Sequence, residues 1–214
     1  VALPDINFPP TVQFVNASME LSGSDIYDDE MLTSLRVANL GFLDVSAELQ
    51  IAADAVTFFY TPAGNPSVVS LELGLTALGG SRYRIVSLGA ADSLGAVATI
   101  PDLRPVETHA KFLPFQTSNN FDFVDLYLVD SDSDVGIEDL QPIRRGLPRG
   151  EALPPLALAA DTYDLYVTDV DQKVALAGPY RFTVAVGDAV DLVIVDTVDP
   201  AVLDVLFLSG GPTS

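Results

Sequence analysis

Short runs of β-forming residues recur every 8–12 residues along this chain, and turn residues separate them. Helical periodicity, with apolar residues three and four apart, is hard to find. In the first half the runs are 12–15, Ser24–Tyr27, 47–51, 56–60, 68–73, 82–86 and 96–100. Pro62-Ala63-Gly64-Asn65-Pro66 and Gly79-Gly80 supply the turn chemistry between them. Leu71, Leu73 and Leu75 alternate with Glu72, which predicts one buried and one wetted face. The 15 prolines fall mostly between runs, because proline cannot donate to a strand ladder. About seven strands in about 100 residues predict an all-β, two-sheet antiparallel sandwich.

The pattern then starts again. Val12-Gln13-Phe14-Val15 has a counterpart in Ala110-Lys111-Phe112-Leu113, and Ser24-Asp25-Ile26-Tyr27 in Val124-Asp125-Leu126-Tyr127. Ile51-Ala52-Ala53-Asp54-Ala55-Val56 matches Leu158-Ala159-Ala160-Asp161-Thr162-Tyr163. Gly79-Gly80 before Tyr83-Arg84-Ile85-Val86 matches Gly187-Asp188 before Leu192-Val193-Ile194-Val195. The offset grows by seven within 130–155, so the second copy carries a longer loop there. A period near 100 residues means tandem domains, since solenoid repeats run to about 20–50. The expected division is an extension at 1–10, a first sandwich at 11–104 and a second at 108–210. The proline-bracketed stretch 101–107 suits a short, stiff linker.

The opening Val-Gln-Phe-Val-Asn-Ala-Ser (12–18), the Asp-apolar-Tyr strands at 25–27 and 125–127, Ala-Ala-Asp-Thr-Tyr-Asp-Leu-Tyr-Val-Thr (159–168) and the Gly-Asp-led strand 187–195 occur in this order. In that series the chain resembles the bacterial secreted family catalogued as domain of unknown function 4397, over about residues 11–208 and most strongly in the second copy. The resemblance implies two tandem immunoglobulin-like sandwiches on exported or cell-surface proteins, with no established activity. The first copy departs from it by an extra apolar run, Leu35–Leu40.

Composition narrows the function classes. Asp and Glu number 30 against 10 Lys and Arg, for a net charge of -20. Residues 1–107 carry 13 acidic and 4 basic groups and 108–214 carry 17 and 6, so the acidity belongs to both halves. Such a chain lacks the basic face that nucleic acid or an anionic membrane requires. At 49% hydrophobic residues it is too apolar for a disordered acidic tail. No apolar stretch reaches the length of a membrane helix, so no membrane insertion is expected. Without cysteine, thiol catalysis and sulfur-ligated metals are excluded. One histidine, His109, excludes a multi-histidine metal site within the chain and leaves a Ser-His-Asp triad a single, linker-adjacent imidazole. No Gly-x-Ser-x-Gly elbow is present, and the seven glutamates are scattered singly. An enzyme is not expected.

The acidic clusters give a sharper signal. Asp130, Asp132 and Asp134 alternate through 130–139 at the spacing with which a loop wraps a hard cation. Asp169 and Asp171 follow the strand 163–168. Counting strands alternately up and down puts both turns at one end of the domain and Asp196 and Asp199 at the other. A calcium site from Asp130, Asp132 and Asp134, completed by Asp169 or Asp171, is therefore expected; the competing reading is solvated turn residues. Asp28-Asp29-Glu30 holds a similar place in the first copy with fewer ligands. Asn16-Ala17-Ser18 matches a glycosylation sequon.

Few long charged side chains are available to cover the apolar surface of two small sandwiches, which favours sizeable interfaces. Leu3, Ile6 and Phe8 precede the first repeat and are candidates for adding a strand to a neighbouring subunit. Val1 stands where an initiator methionine would, as expected after removal of a leader. The leading expectation is a non-catalytic extracellular structural protein that self-associates into a homo-oligomer, filament or surface layer. The alternative is a calcium-assisted adhesion module for a surface glycan or protein.

Overall fold

The computed structural model describes residues 8–21 and 23–209. The chain divides after Pro101 into two compact units, each with its own core. The first contains β1 (Thr11–Asn16), β2 (Ser24–Tyr27), β3 (Leu35–Leu40), β4 (Leu49–Gln50), β5 (Asp54–Pro62), β6 (Leu71–Ala77), β7 (Arg82–Leu88) and β8 (Gly95–Thr99). The second contains β9 (Ala110–Gln116), β10 (Phe123–Asp130), β11 (Arg144–Pro148), β12 (Leu156–Leu158), β13 (Asp161–Asp169), β14 (Ala175–Val184), β15 (Ala189–Asp196) and β16 (Leu203–Ser209). The sheets of the first unit run β4-β1-β7-β8 and β3-β2-β5-β6; those of the second run β12-β9-β15-β16 and β11-β10-β13-β14. Strand for strand, the second unit repeats the first. The protein is all-β, with a single 3-10 turn among the described residues, at Ile137–Asp139.

Alternation builds both cores. Val12, Phe14, Ile26, Phe58, Tyr60 and Ile85 point between the sheets of the first unit. Phe112, Leu126, Leu165, Phe182, Leu192 and Ile194 do so in the second. Phe14 meets Phe58 edge-on at 5.0 Å between ring centroids, and Phe112 stacks on Phe182 at 6.2 Å.

Several details differ from the sequence expectation. One pair in each unit is parallel: β1 lies along β7 and β9 along β15, while the other pairs are antiparallel. Parallel neighbours cannot be joined by a hairpin, and here five strands separate them in the chain, so no local signal marks the pairing. Leu35–Leu40 is not an addition to the first copy. It is β3, paired with β2 as β11 is paired with β10. β6 starts at Leu71; Val68 and Val69 lie half exposed in the turn after Pro66.

Backbone hydrogen bonds fix the correspondence between units. Ala17 N–H donates to Ser87 O as Thr117 N–H donates to Ile194 O. Val12 therefore corresponds to Phe112, and 85–88 to 192–195, each two residues away from the sequence match. A shift of two preserves which side chains face inward, so periodicity cannot detect it.

The repeated aspartates explain themselves at this level. Asp25 Oδ1 accepts the Asn39 N–H and Oδ2 the Gly64 N–H, both at 2.8 Å. Asp125 does the same, with Gly146 N–H at 2.7 Å and Asp171 N–H at 3.0 Å. All four donors are left-handed, with φ of 49°, 72°, 59° and 60°. Such residues turn their N–H groups out of the ladder, and a buried carboxylate collects them in pairs. The carboxylates are 7% and 0% exposed. Each thus ties a bulge in β3 or β11 to the turn after β5 or β13.

Candidate functional site

Asp130 closes β10 and Asp169 closes β13, but these strands are antiparallel. Asp130 lies opposite Tyr163, and Asp169 opposite Val124. Six rungs, on the order of 20 Å, separate the two aspartates. The five-residue calcium set is therefore not one site. The reason is parity: β11 intervenes between the acidic turn and β13, and one uncounted strand inverts the end at which every later turn falls. Asp196 correspondingly shares an end with Asp169. Its carboxylate accepts bonds from Ser118, the Asn119 N–H and Asn120 Nδ2 in the loop that leads into β10.

Asp130, Asp169 and Asp171 each have a local role. Asp171 supplies its N–H to Asp125 and holds Arg145 at 3.4 Å. Asp169 Oδ1 accepts the Val170 N–H, and Asp130 Oδ1 the Asp132 N–H. A cation held at the acidic turn would have to be held by Asp130, Asp132 and Asp134 alone, and among the described residues no group of three or more metal-ligating side chains converges.

The acidic loop instead covers its own sheet. The offset between units rises from 100 at Asp25/Asp125 to 107 at Asn39/Gly146, so the seven extra residues fall between β10 and β11. Within them Ile137 and Leu140 pack on Tyr127, Val129 and Tyr166, on the outer face of β10 and β13. Lys173 donates to Ile137 O at 2.8 Å and to Leu140 O, with its ammonium 4.4 Å above the Tyr127 ring. These contacts pin the loop across the sheet. Two apolar residues spaced three apart inside an acidic stretch were the available signal.

The first unit has the shorter β2–β3 loop, and there the corresponding place is a cleft of about 500 Å³. Asp28, Asp29, Glu30, Ser34 and Thr57 supply its polar groups, and Ala52, Ala55, Val56 and Phe59 its apolar wall. Phe59 pairs with Tyr27 as Tyr166, beneath the covering loop, pairs with Tyr127. The carboxylates are differently engaged. Asp28 pairs with Arg36 at 2.6 Å. Asp29 accepts the Ser34 N–H at 2.7 Å and the N–H and hydroxyl of Thr33, and the Ser34 bond leads in holding its carboxyl below the ordinary range. Glu30 is exposed.

The remaining sequence candidates fall elsewhere. Asn16 is 1% exposed; its amide nitrogen bonds Leu21 O and Leu40 O, and its Oδ1 accepts the Ser18 N–H and the Ser87 hydroxyl. In that arrangement it is a structural residue with no room for a glycan. His109 Nδ1 lies 2.9 Å from the Thr108 hydroxyl, and its carbonyl accepts the Gly187 N–H. Phe8 is 65% exposed, but the backbone around it is seated on its own unit, through Gly80 N–H to Phe8 O and Ile51 N–H to Pro10 O. Leu3 and Ile6 lie outside the described residues.

Two further carboxyls are held low. Arg104, then Lys111, depresses Asp102, and Arg181 depresses Asp164. With Asp29 they carry folded pKa values below the ordinary 3.8. On acidification the unfolded carboxylates take up protons first, so their stabilisation is complete above that value and is lost as pH falls through the folded ones. Melting temperature is expected to stay level from pH 8 to about 5 and to fall below about pH 4, as measured by circular dichroism.

No family model matches this chain, and no curated protein matches it. Among solved structures, a family 41 carbohydrate-binding module from streptococcal virulence factors, described for α-glucan recognition, is 11% identical over 91% of this chain and 95% of its own, with a TM-score of 0.28. A family 26 module of Eubacterium rectale Amy13K, solved with maltoheptaose, is 9% identical over 94% and 98%, also at 0.28. The Bacillus anthracis TIE protein is 10% identical over 86% of this chain, at 0.26; the chain spans 33% of its length.

Proposed function

We propose that this protein is a non-catalytic, extracellular binding module that takes a neutral, hydroxyl-rich glycan in the cleft of its first unit. The observation that carries the reading is the composition of that cleft. Carboxylate- and hydroxyl-bearing residues of 28–34 and Thr57 line it together with Ala52, Ala55, Val56 and Phe59. The exposed Glu30 carboxylate and the Thr57 hydroxyl suit sugar hydroxyls as partners, and an apolar wall suits the C–H face of a pyranose. The net charge of -20 and the acidic rim disfavour sialylated, uronic or phosphorylated ligands. No imidazole or cysteine lines the cleft, and Asp28 and Asp29 are tied up by neighbouring residues. The resemblance of 12–18, 125–127 and 159–168 to an exported family supports a place outside the cell.

A glycan array followed by calorimetry tests this. Neutral glycans are expected to bind and acidic ones not. Glu30→Gln and Thr57→Val should each weaken binding about tenfold, the cost of one hydrogen bond to a charged or buried partner. Absence of any neutral-glycan binding at millimolar concentration would overturn the proposal, as would binding that neither substitution changes.

A further inference from the structure

We infer that β8 (Gly95–Thr99) is a self-association edge, which pairs antiparallel with β8 of a second copy of this chain. The inference is independent of the cleft. Each of the four sheets ends in two edge strands, whose outward N–H and C=O groups invite pairing unless something blocks it. Seven of the eight are blocked. β3, β6, β11, β14 and β16 carry Arg36, Glu72, Arg144, Arg181 and Asp204 respectively. β4 has two residues and β12 three. Among the described residues β8 alone has five residues with no charge and no proline. Its register against β7 runs without a bulge from Leu88↔Gly95 to Arg84↔Thr99, so the edge is regular. A Cβ added at Gly95 would meet nothing within 4 Å.

The near-symmetry of the strand points to a second copy as the occupant, and its lack of charge is what lets two acidic chains meet there. Two chains of net charge -20 repel, and a contact between them needs a seam free of like charges. The strand Gly-Ala-Val-Ala-Thr is nearly palindromic. A twofold axis at Val97 sets Val97 against itself, Ala96 against Ala98 and Gly95 against Thr99, all small side chains. Ala96 and Ala98 pack on the core, leaving Val97 on the outer face of the joined eight-stranded sheet. The nearest acidic groups in sequence, Asp92 and Asp102, lie beyond the strand ends. Five residues make a small contact, well below the roughly 1,200 Å² of a stable interface, so the dimer is weak and strengthened by salt.

Sedimentation velocity on the full chain from about 5 µM to 1 mM, at low and high salt, tests this. A monomer–dimer equilibrium that tightens with salt is expected. Val97→Glu, which sets two carboxylates face to face, should weaken it at least tenfold, while Val97→Thr retains it. Hydrogen exchange of the wild type gives a second readout that no variant's folding can confuse: amides of 95–99 should gain protection at the higher concentration. A monomer throughout, an association that Val97→Glu leaves unchanged, or concentration-dependent protection elsewhere but not at 95–99 would overturn the inference.

Discussion

Replacing Asp125 with alanine is expected to destabilise the second unit by about 3–5 kcal/mol in urea unfolding followed by circular dichroism. The carboxylate is fully buried and receives the N–H groups of Gly146 and Asp171. Both donors sit at left-handed positions that turn them away from the ladder, so neither has a strand partner to fall back on. Truncation takes the acceptor from two part-buried amides, at about 1–3 kcal/mol each, and removes the group that joins β11 to the turn after β13. Asp125→Asn keeps one acceptor but turns an amide N–H toward the second donor, so about half the loss should remain. Asp25→Ala should follow the same order at smaller size, because that carboxylate is slightly exposed and water can reach its partners. A loss below about 1 kcal/mol for Asp125→Ala would show that the clamp is not what holds the bulge and the turn together.

Phe14→Ala is expected to cost the first unit about 3–5 kcal/mol by the same measurement. Its ring is fully buried between the sheets, edge-on to Phe58 at 5.0 Å and to Tyr60 at 6.2 Å. The loss combines transfer of the ring, the cavity left behind and two aromatic contacts worth about 0.5–1.5 kcal/mol each. Phe14→Leu fills much of that space and should cost less than half as much. Met31→Ala, at a side chain 81% exposed in the β2–β3 loop, should stay within about 0.5 kcal/mol. Equal losses at Phe14 and Met31 would mean that the cores are not where the first unit's stability resides.

Much of the architecture is legible in the sequence. The runs at 12–15, Ser24–Tyr27, 56–60 and 82–86 all fall within strands, because β-branched and aromatic residues between turn signals have few other ways to bury themselves. The repeat was legible too, down to the seven additional residues. The candidate site was much less so. Spacing marks the five aspartates as ligands, yet their positions in space depend on how many strands lie between them. β11, with its Arg-Arg-Gly-Leu-Pro sequence, shows little alternation, and a strand count without it puts Asp169 at the wrong end of the sandwich. The cleft beside Phe59 could not be inferred from its own residues; it exists where the first unit's β2–β3 loop is shorter than its counterpart in the second.

Local chemistry therefore dictated what is repeated and periodic in this protein: short strands, turns, an inward apolar face and two copies. Those features arise from neighbours in sequence, where side-chain alternation and turn preferences act directly. Tertiary structure decided the parallel placement of β1 beside β7, the two-residue offset between copies, the pairing of Asp25 and Asp125 with distant amides and the role of the acidic loop as a cover. Each of these joins residues far apart in the chain, and a period of two is blind to any shift by two and to the number of strands between. The short, charge-free edge at β8 belongs to both: its composition is local, but only the sheet order makes it an edge.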